Sequence, residues 1–586
     1  MKFKSFFLIA IVISLFSCTN SSKPEENLNK LNINRVVIHE LSDPDKLNPL
    51  CSQGAGAVYI EHNIFMYLLD VDKEKLEIVP WLAKSRPTIT EITEGEFKGG
   101  LKIDYEIKEA AVWDNGTPVT AYDVAFSVKC VLNPHVDAEH QKTYVDFLKD
   151  IIIDKENPKK FSFLTNEKNY AAEFFSGGTT YILPEYIYDE EKLMRNFTLK
   201  QLNNSKELER VRDDINLRKF AKSFNSENFQ REVVVGSGAY YFDYWKTGEN
   251  IILKKKKDWW GEKYQPAKSF ENFPDEIVYK IIKDQVTATT ALKDGQIGLM
   301  RSMKPSDYDN LLGNKKFNEK FILRREQSLS YTYIGINTKK EILEDKNVRK
   351  AIAHIVNVPQ IIDVVNYGYA QEIASFVHPS KPHYNTDITP YEYDLEKAIE
   401  YLEKAGFVNY NDDGIRYREV DGEEQILDFT IKYNIGNERR ETIALFVKQN
   451  AKKIGMNIEP KKIEWAVYLE QCKNHEIDLF LLGWIQEAII DDPKQLFHTE
   501  SYHGGSNYTG FGNEYSDKLI EDLRKELDEE KRIEMLKELQ VLVYDEVPYI
   551  FLYAPDNLIA ISKKFANPKT YIARPGYDER ELKLAK

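Results

Sequence analysis

Ser506 sits in Gly504-Gly505-Ser506-Asn507-Tyr508, a setting in which a nucleophilic serine could work, but the glycine that trails the serine of a nucleophile elbow is absent. Gly54-Ala55-Gly56 and Gly236-Ser237-Gly238 are glycine pairs without the third glycine of a dinucleotide fingerprint. No phosphate loop of the form Gly-x4-Gly-Lys-Ser/Thr occurs. His475-Glu476 lacks the second histidine of a zinc-protease helix, and His135 and His140 flank an acidic, surface-like segment. Asn411-Asp412-Asp413-Gly414 begins like a calcium loop but lacks the further spaced acids, so it reads as a turn. Apart from Cys18, the cysteines are Cys51, Cys130 and Cys472, an odd number without CxxC spacing. A zinc site or disulfide framework is not expected from them, although one pair could form in an oxidising compartment. The expectation is therefore a chain with no catalytic residues, no metal and no cofactor, and a secreted hydrolase is the least supported class.

Cys18 is the cysteine with a chemical assignment. Lys2 and Lys4 form a basic start, Phe6 to Phe16 is almost wholly apolar, and Leu15-Phe16-Ser17-Cys18 is lipobox-like. The apolar run is too short to span ~30 Å of hydrocarbon as a helix. Residues 1–17 are read as a signal peptide and Cys18 as the lipidated residue, since two or more acyl chains make stable anchoring. Residues 18–32, rich in Asn, Ser, Lys and Glu, have too little apolar surface to fold and read as a tether.

The rest of the 586 residues, 42% hydrophobic and 30% charged, is enough for two or three domains with their own cores. A net charge of −14 argues against nucleic acid as a partner, because phosphates must be met by a basic face. The run Lys254 to Lys257 after Ile251-Ile252-Leu253 is read as a solvated edge that discourages strand pairing.

The elements that would position a site begin with Trp113-Asp114-Asn115-Gly116-Thr117-Pro118-Val119-Thr120-Ala121-Tyr122-Asp123-Val124. Asn115-Gly116 supplies the positive φ of a tight turn, and Thr120 with Asp123 three residues on predicts a capped helix start. Phe429 to Tyr433, Ile443 to Ile454 and Ile477 to Trp484 alternate as strand, helix and strand, the order of α/β layers with sites at strand ends.

As a whole, the Trp113 to Val124 string resembles the most recognisable segment of the extracytoplasmic solute-binding proteins of the oligopeptide, dipeptide and nickel class, which serve ABC transporters. The resemblance covers essentially the whole mature chain. It takes in Asp45-Lys46-Leu47-Asn48-Pro49-Leu50, Ile78 to Ser85, Gly236 to Phe242 (with Ala239 for the usual proline), Asp258-Trp259-Trp260-Gly261, and Asp284 to Gly298, which ends in glycine where an acid is usual. In the second half it takes in Tyr333 to Asn337, Asp345 to Asn357, Tyr393 to Phe407, Asp478 to Trp484 and Gly505 to Glu514.

The resemblance implies an α/β, two-lobed periplasmic-binding-protein fold (type II, Venus-flytrap) with an inserted third domain. Lobe I is assigned to 33–85, 226–325 and 546–586, the inserted domain II to 86–225, and lobe II (domain III) to 326–545. It also implies hinge closure around a ligand and delivery to ABC permease subunits, by a monomer lipid-anchored to a bacterial membrane on its periplasmic or extracellular face. An extended peptide would be held by backbone hydrogen bonds, with a carboxylate on its terminal ammonium. In the family that acid usually follows the Gly-Trp pair by three residues. The matching position is Glu487, one methylene longer than the customary aspartate, and Asp491-Asp492-Pro493 follows with extra residues inserted. Trp484, Tyr508, Asn337 and Asp491 are the further ligand candidates; Trp113 shares with Trp484 and Tyr508 the alternative of core or interlobe packing. The same scaffold carrying a nickel chelate, oligosaccharide or haem is the alternative cargo.

Overall fold

The computed structural model describes residues 33–585 except 266 and 504, so the signal peptide, Cys18 and the tether lie outside the described residues. The first lobe is built on Arg35–Glu40, which pairs in parallel with Glu276–Ile281 on one side and with Leu299 on the other. Asn250–Lys255 and then Tyr240–Lys246 extend this sheet antiparallel. Asn250–Lys255 is thus an interior strand, which corrects the edge reading of the lysine run. Lys254 faces Asp243 of the neighbouring strand at 2.7 Å, and Lys256 is held by Asp114 and the Gly236 carbonyl, both at 2.6 Å.

Residues between the first and second segments of this lobe form a four-stranded antiparallel sheet in the order Thr88–Glu91, Leu101–Glu106, Lys160–Thr165, Leu148–Ile153. Strict alternation of buried and half-buried residues along Leu101–Glu106 gives it one core-facing side. Gly116 takes φ +81° in the expected turn, and the Asp123 carboxylate accepts from the Thr120 amide and hydroxyl at 2.9 and 3.0 Å to start the helix Ala121–Leu132. Trp113 is buried there, in one apolar cluster that runs without interruption from Val36 and Ile38 through Phe126, Phe163 and Phe220. The inserted segment and the first lobe therefore share a core. Gly236 and Gly238 allow close approach, because a Cβ on either would lie within 2.7 Å of the carbonyl oxygen of Ile64.

The second lobe orders its strands as Asn457–Ile463, Asp428–Asn434, Leu479–Ile485, Ser330–Ile336. Leu479 and Leu481 point into a cluster with the helices Lys346–His354, Leu395–Lys404 and Glu438–Lys453. Phe480 and Leu482 point into the opposite cluster with Trp465–Lys473, Glu514–Lys525 and Glu529–Glu546. Covering both faces is what makes Asp478 to Leu482 read as an almost unbroken apolar run.

The lobes are joined by a two-stranded ribbon. Tyr549–Ser562 pairs through its first half with Ser330–Ile336 and through its second half with Phe321–Gln327. Between those partners residues 328–331 leave that ladder, Ser330 and Tyr331 pairing instead with Ile485 and Trp484, while Ala554 and Pro555 opposite them pair with Gln371 and Ala370. This break in the ribbon, at which Ser328 and Leu329 belong to no strand, is where φ and ψ can absorb a rigid-body rotation.

Candidate functional site

Leu479–Ile485 runs toward the ribbon break, since Ile485 pairs with Ser330, and so delivers the segment after it into the cleft between the lobes. Two cavities of ≈ 470 Å³ each adjoin there, both walled by Tyr144, Ile485, Gln486 and Glu487. The first continues over Tyr59, His62, His140, Arg574 and Arg580; the second over Phe175, Tyr331, Phe376, Trp484 and Ile490. Glu487 therefore stands at the waist.

The Glu487 side chain is open to the cavity while the closed lobes surround it. That enclosure pushes its carboxyl above the ordinary range, opposed by the charges of Arg574 and Lys381. It makes no ion pair among the described residues. Arg574 donates from Nε to the Tyr59 hydroxyl at 2.8 Å and lies 5.4 Å from the centroid of that ring, which Arg301 approaches at 4.7 Å.

Asp491 has a different environment. Its Oδ2 accepts from Lys381 Nζ and from His383 Nε2, each at 2.7 Å, with all three side chains largely buried. Burial raises its carboxyl, but His383 and Lys381 outweigh that and hold it below the usual range. Asp492 pairs with Arg524 at 3.0 Å.

Trp484 lines the second cavity, donates from Nε1 to the Tyr549 hydroxyl at 3.3 Å and stacks on Tyr508 with centroids 6.1 Å apart. Tyr508 lies behind it and is buried, lining neither cavity. Asn337 is not brought to the cleft. Ser330–Ile336 leads away from the hinge, so the residue after it lies at the far end, where its Nδ2 donates to the His475 carbonyl at 3.0 Å and its Oδ1 accepts from the Lys339 amide at 3.1 Å. Its role is to close a loop.

The structure adds residues with no signal in their sequence neighbourhoods. Arg574 comes from the C-terminal tail, Tyr59 from the helix Ala55–Ile64, and Tyr144 from the short helix Glu139–Val145. Tyr331 borders the second cavity, and its hydroxyl is buried with no hydrogen-bond partner among the described residues.

Contacts across the cleft hold it closed. Tyr170 of the inserted segment donates its hydroxyl to the Asp491 carbonyl and its amide to the Arg524 carbonyl, both at 3.0 Å, and Arg532 lies 4.9 Å from its ring centroid. On the other side Tyr369 donates to Asp309 at 3.0 Å and Lys304 approaches Glu438 at 3.8 Å. Tyr170→Phe removes one of these bonds, worth about 0.5–1.5 kcal/mol, so ligand affinity should fall roughly two- to tenfold. Small-angle scattering of the free variant should show a larger radius of gyration; an unchanged radius and affinity would mean that the contact does not bias closure.

A profile of the bacterial extracellular solute-binding proteins, family 5, matches residues 77–507. The oligopeptide-binding protein AppA of Bacillus subtilis is 27% identical over 594 aligned residues, covering 99% of this chain and 98% of AppA. The haem-binding protein A of Haemophilus influenzae is 27% identical over 350 residues, 59% of this chain and 58% of that protein. The solved structure of B. subtilis AppA in complex with a nonapeptide superposes with a TM-score of 0.73 at 26% identity, covering 94% of this chain and 99% of that one. The chain, with its two lobes, its ribbon hinge and its enclosed cleft, belongs to the bacterial extracellular solute-binding proteins of family 5.

Proposed function

We propose that this protein captures extended peptides in the interlobe cleft as the solute-binding lipoprotein of an ABC importer, closing over them and presenting the closed form to the permease. It acts as a monomer and performs no chemistry on its cargo. The observation that carries this reading is Glu487, a carboxylate with no ion-pair partner among the described residues, open to the cavity. A peptide's α-ammonium is the complementary group, and Trp484, Tyr331 and Tyr144 offer aromatic walls. Full-length similarity to an oligopeptide-binding protein supports the same cargo. The strand pairing supports lobe I at about 33–85, 226–327 and 556–585, the inserted domain at 86–225 and lobe II at 330–553.

The test is mass spectrometry of whatever co-purifies with the protein, followed by calorimetry with a free-amine peptide library. Peptides retained and bound support the reading. Failure of every library member would overturn it in favour of a nickel chelate, oligosaccharide or haem, the last favoured by the haem-binding relative.

The anchor has its own test. With Cys18 as the acylated residue, a clickable fatty acid should label the protein, and Cys18→Ala should abolish both the label and stable membrane association. Lipid persisting on the alanine variant would end that assignment.

A further inference from the structure

The cleft carries more carboxylates than a single ligand ammonium needs, and one of them has already been answered from within the chain. Lys381 Nζ sits 2.7 Å from Asp491 Oδ2 and also donates to the backbone carbonyl of Glu487 at 2.7 Å. Its side chain is 3% exposed and that of Asp491 9%. Breaking so buried a pair would leave a charge uncompensated, so a ligand ammonium cannot displace Lys381 without paying for its desolvation. His383 supplies a second donor to the same Oδ2 at 2.7 Å. We infer that Lys381 is a built-in ammonium that decides which acid of the cleft meets the ligand: it occupies Asp491, pins the Glu487 carbonyl, and leaves the Glu487 carboxylate as the single ligand-facing anion of that loop.

The placement of Lys381 explains how a loop with inserted residues can still present one acid. Asp491 and Glu487 lie four residues apart and wall the same cavity. Two free carboxylates there would repel each other and would accept a dication as readily as a monocation. With Asp491 neutralised, the loop is fastened by its Asp491 carboxylate to Lys381 and His383, and by its Asp491 carbonyl to Tyr170 across the cleft. Lys381 is thus a specificity-determining and positioning residue, and it rests on the peptide reading of Glu487 given above.

The experiment is a set of four proteins, wild type, Lys381→Met, Glu487→Gln and the double variant, each titrated with the tightest-binding member of a free-amine pentapeptide library and with its N-acetyl form. In the wild-type background Glu487→Gln should lower affinity for the free-amine peptide more than tenfold. In the Lys381→Met background the freed Asp491 should take the ammonium, so the same change should cost threefold or less while preference for the free amine persists. An equal loss in both backgrounds would overturn the inference. Should Lys381→Met fail to fold, a crystal structure of the wild-type peptide complex decides. Lys381 on Asp491 and the peptide nitrogen on Glu487 support it; the peptide nitrogen on Asp491 with Lys381 displaced overturns it. If no pentapeptide binds the wild type at all, it is the peptide reading that has failed, not the Lys381–Asp491 assignment, which the crystal structure of the free protein then decides by the presence or absence of that pair.

Discussion

Replacing Glu487 with glutamine should cost about 2–5 kcal/mol of peptide binding, more than an order of magnitude in affinity, and acetylating the peptide's N-terminus should cost a similar amount. Each change removes one half of a pair that closure desolvates and strands the other half. Because Glu487 is open to the cavity in the free protein, its loss should change thermal stability little while changing affinity strongly. The two changes should be strongly non-additive, since the second has little left to break. Affinity should also depend on pH. The Glu487 carboxyl is raised above the ordinary range by its enclosure, and only its ionised form attracts an ammonium, so binding is strongest above that raised pKa and weakens as pH falls through it. Calorimetry in buffers of different ionisation enthalpy should detect proton release on binding. Full affinity of the glutamine variant for a free-amine peptide would exclude Glu487 as the anchor.

Asp578→Ala should destabilise the first lobe by about 3–5 kcal/mol, read as a lower denaturation midpoint. Asp578 pairs with Arg580 at 2.7 Å and with Lys73 at 2.9 Å; the Asp578 and Arg580 side chains are nearly inaccessible to solvent and that of Lys73 is largely buried. These residues form the wall between the first cleft cavity and an outer cavity of ≈ 410 Å³. Removing the aspartate takes away the carboxylate that both cations touch, which is costlier than never having had the cluster. Burial alone would raise the Asp578 carboxyl, but Arg580 and Lys73 outweigh it and hold it well below its ordinary value. A depressed folded pKa contributes stability that is complete above the unfolded value of ~3.9 and is lost as pH falls from there toward the folded pKa. The wild type should therefore lose stability below about pH 4 more steeply than Asp578→Asn. Parallel acid profiles, or a loss under ~1 kcal/mol for the alanine variant, would show that the cluster does not stabilise the first lobe.

Much of the architecture is visible in local residue order because local forces make it. Asn115-Gly116 turns the chain wherever it is placed, Asp123 can reach Thr120 because they are three residues apart, and Leu479 to Leu482 is apolar because it is covered on both faces. The acid three residues after the Gly-Trp pair is singled out by the resemblance to the family, not by local residue order. The status of each acid could not be singled out. Glu487 and Asp491 look alike in the chain, and only folding brings Lys381, 110 residues away, onto Asp491 while leaving Glu487 open to the cleft. Asn337 follows one strand and Trp484 stands near the end of its antiparallel neighbour, so strand direction sends Asn337 to the far end, while Tyr508, in a loop, is buried behind Trp484 by stacking. Sequence patterning therefore determined much of which segments are strands, helices and turns, since those depend on neighbours two to four residues apart. Tertiary structure alone decided which charges are paired and which await a ligand, because burial and Coulomb energy depend on distance in space.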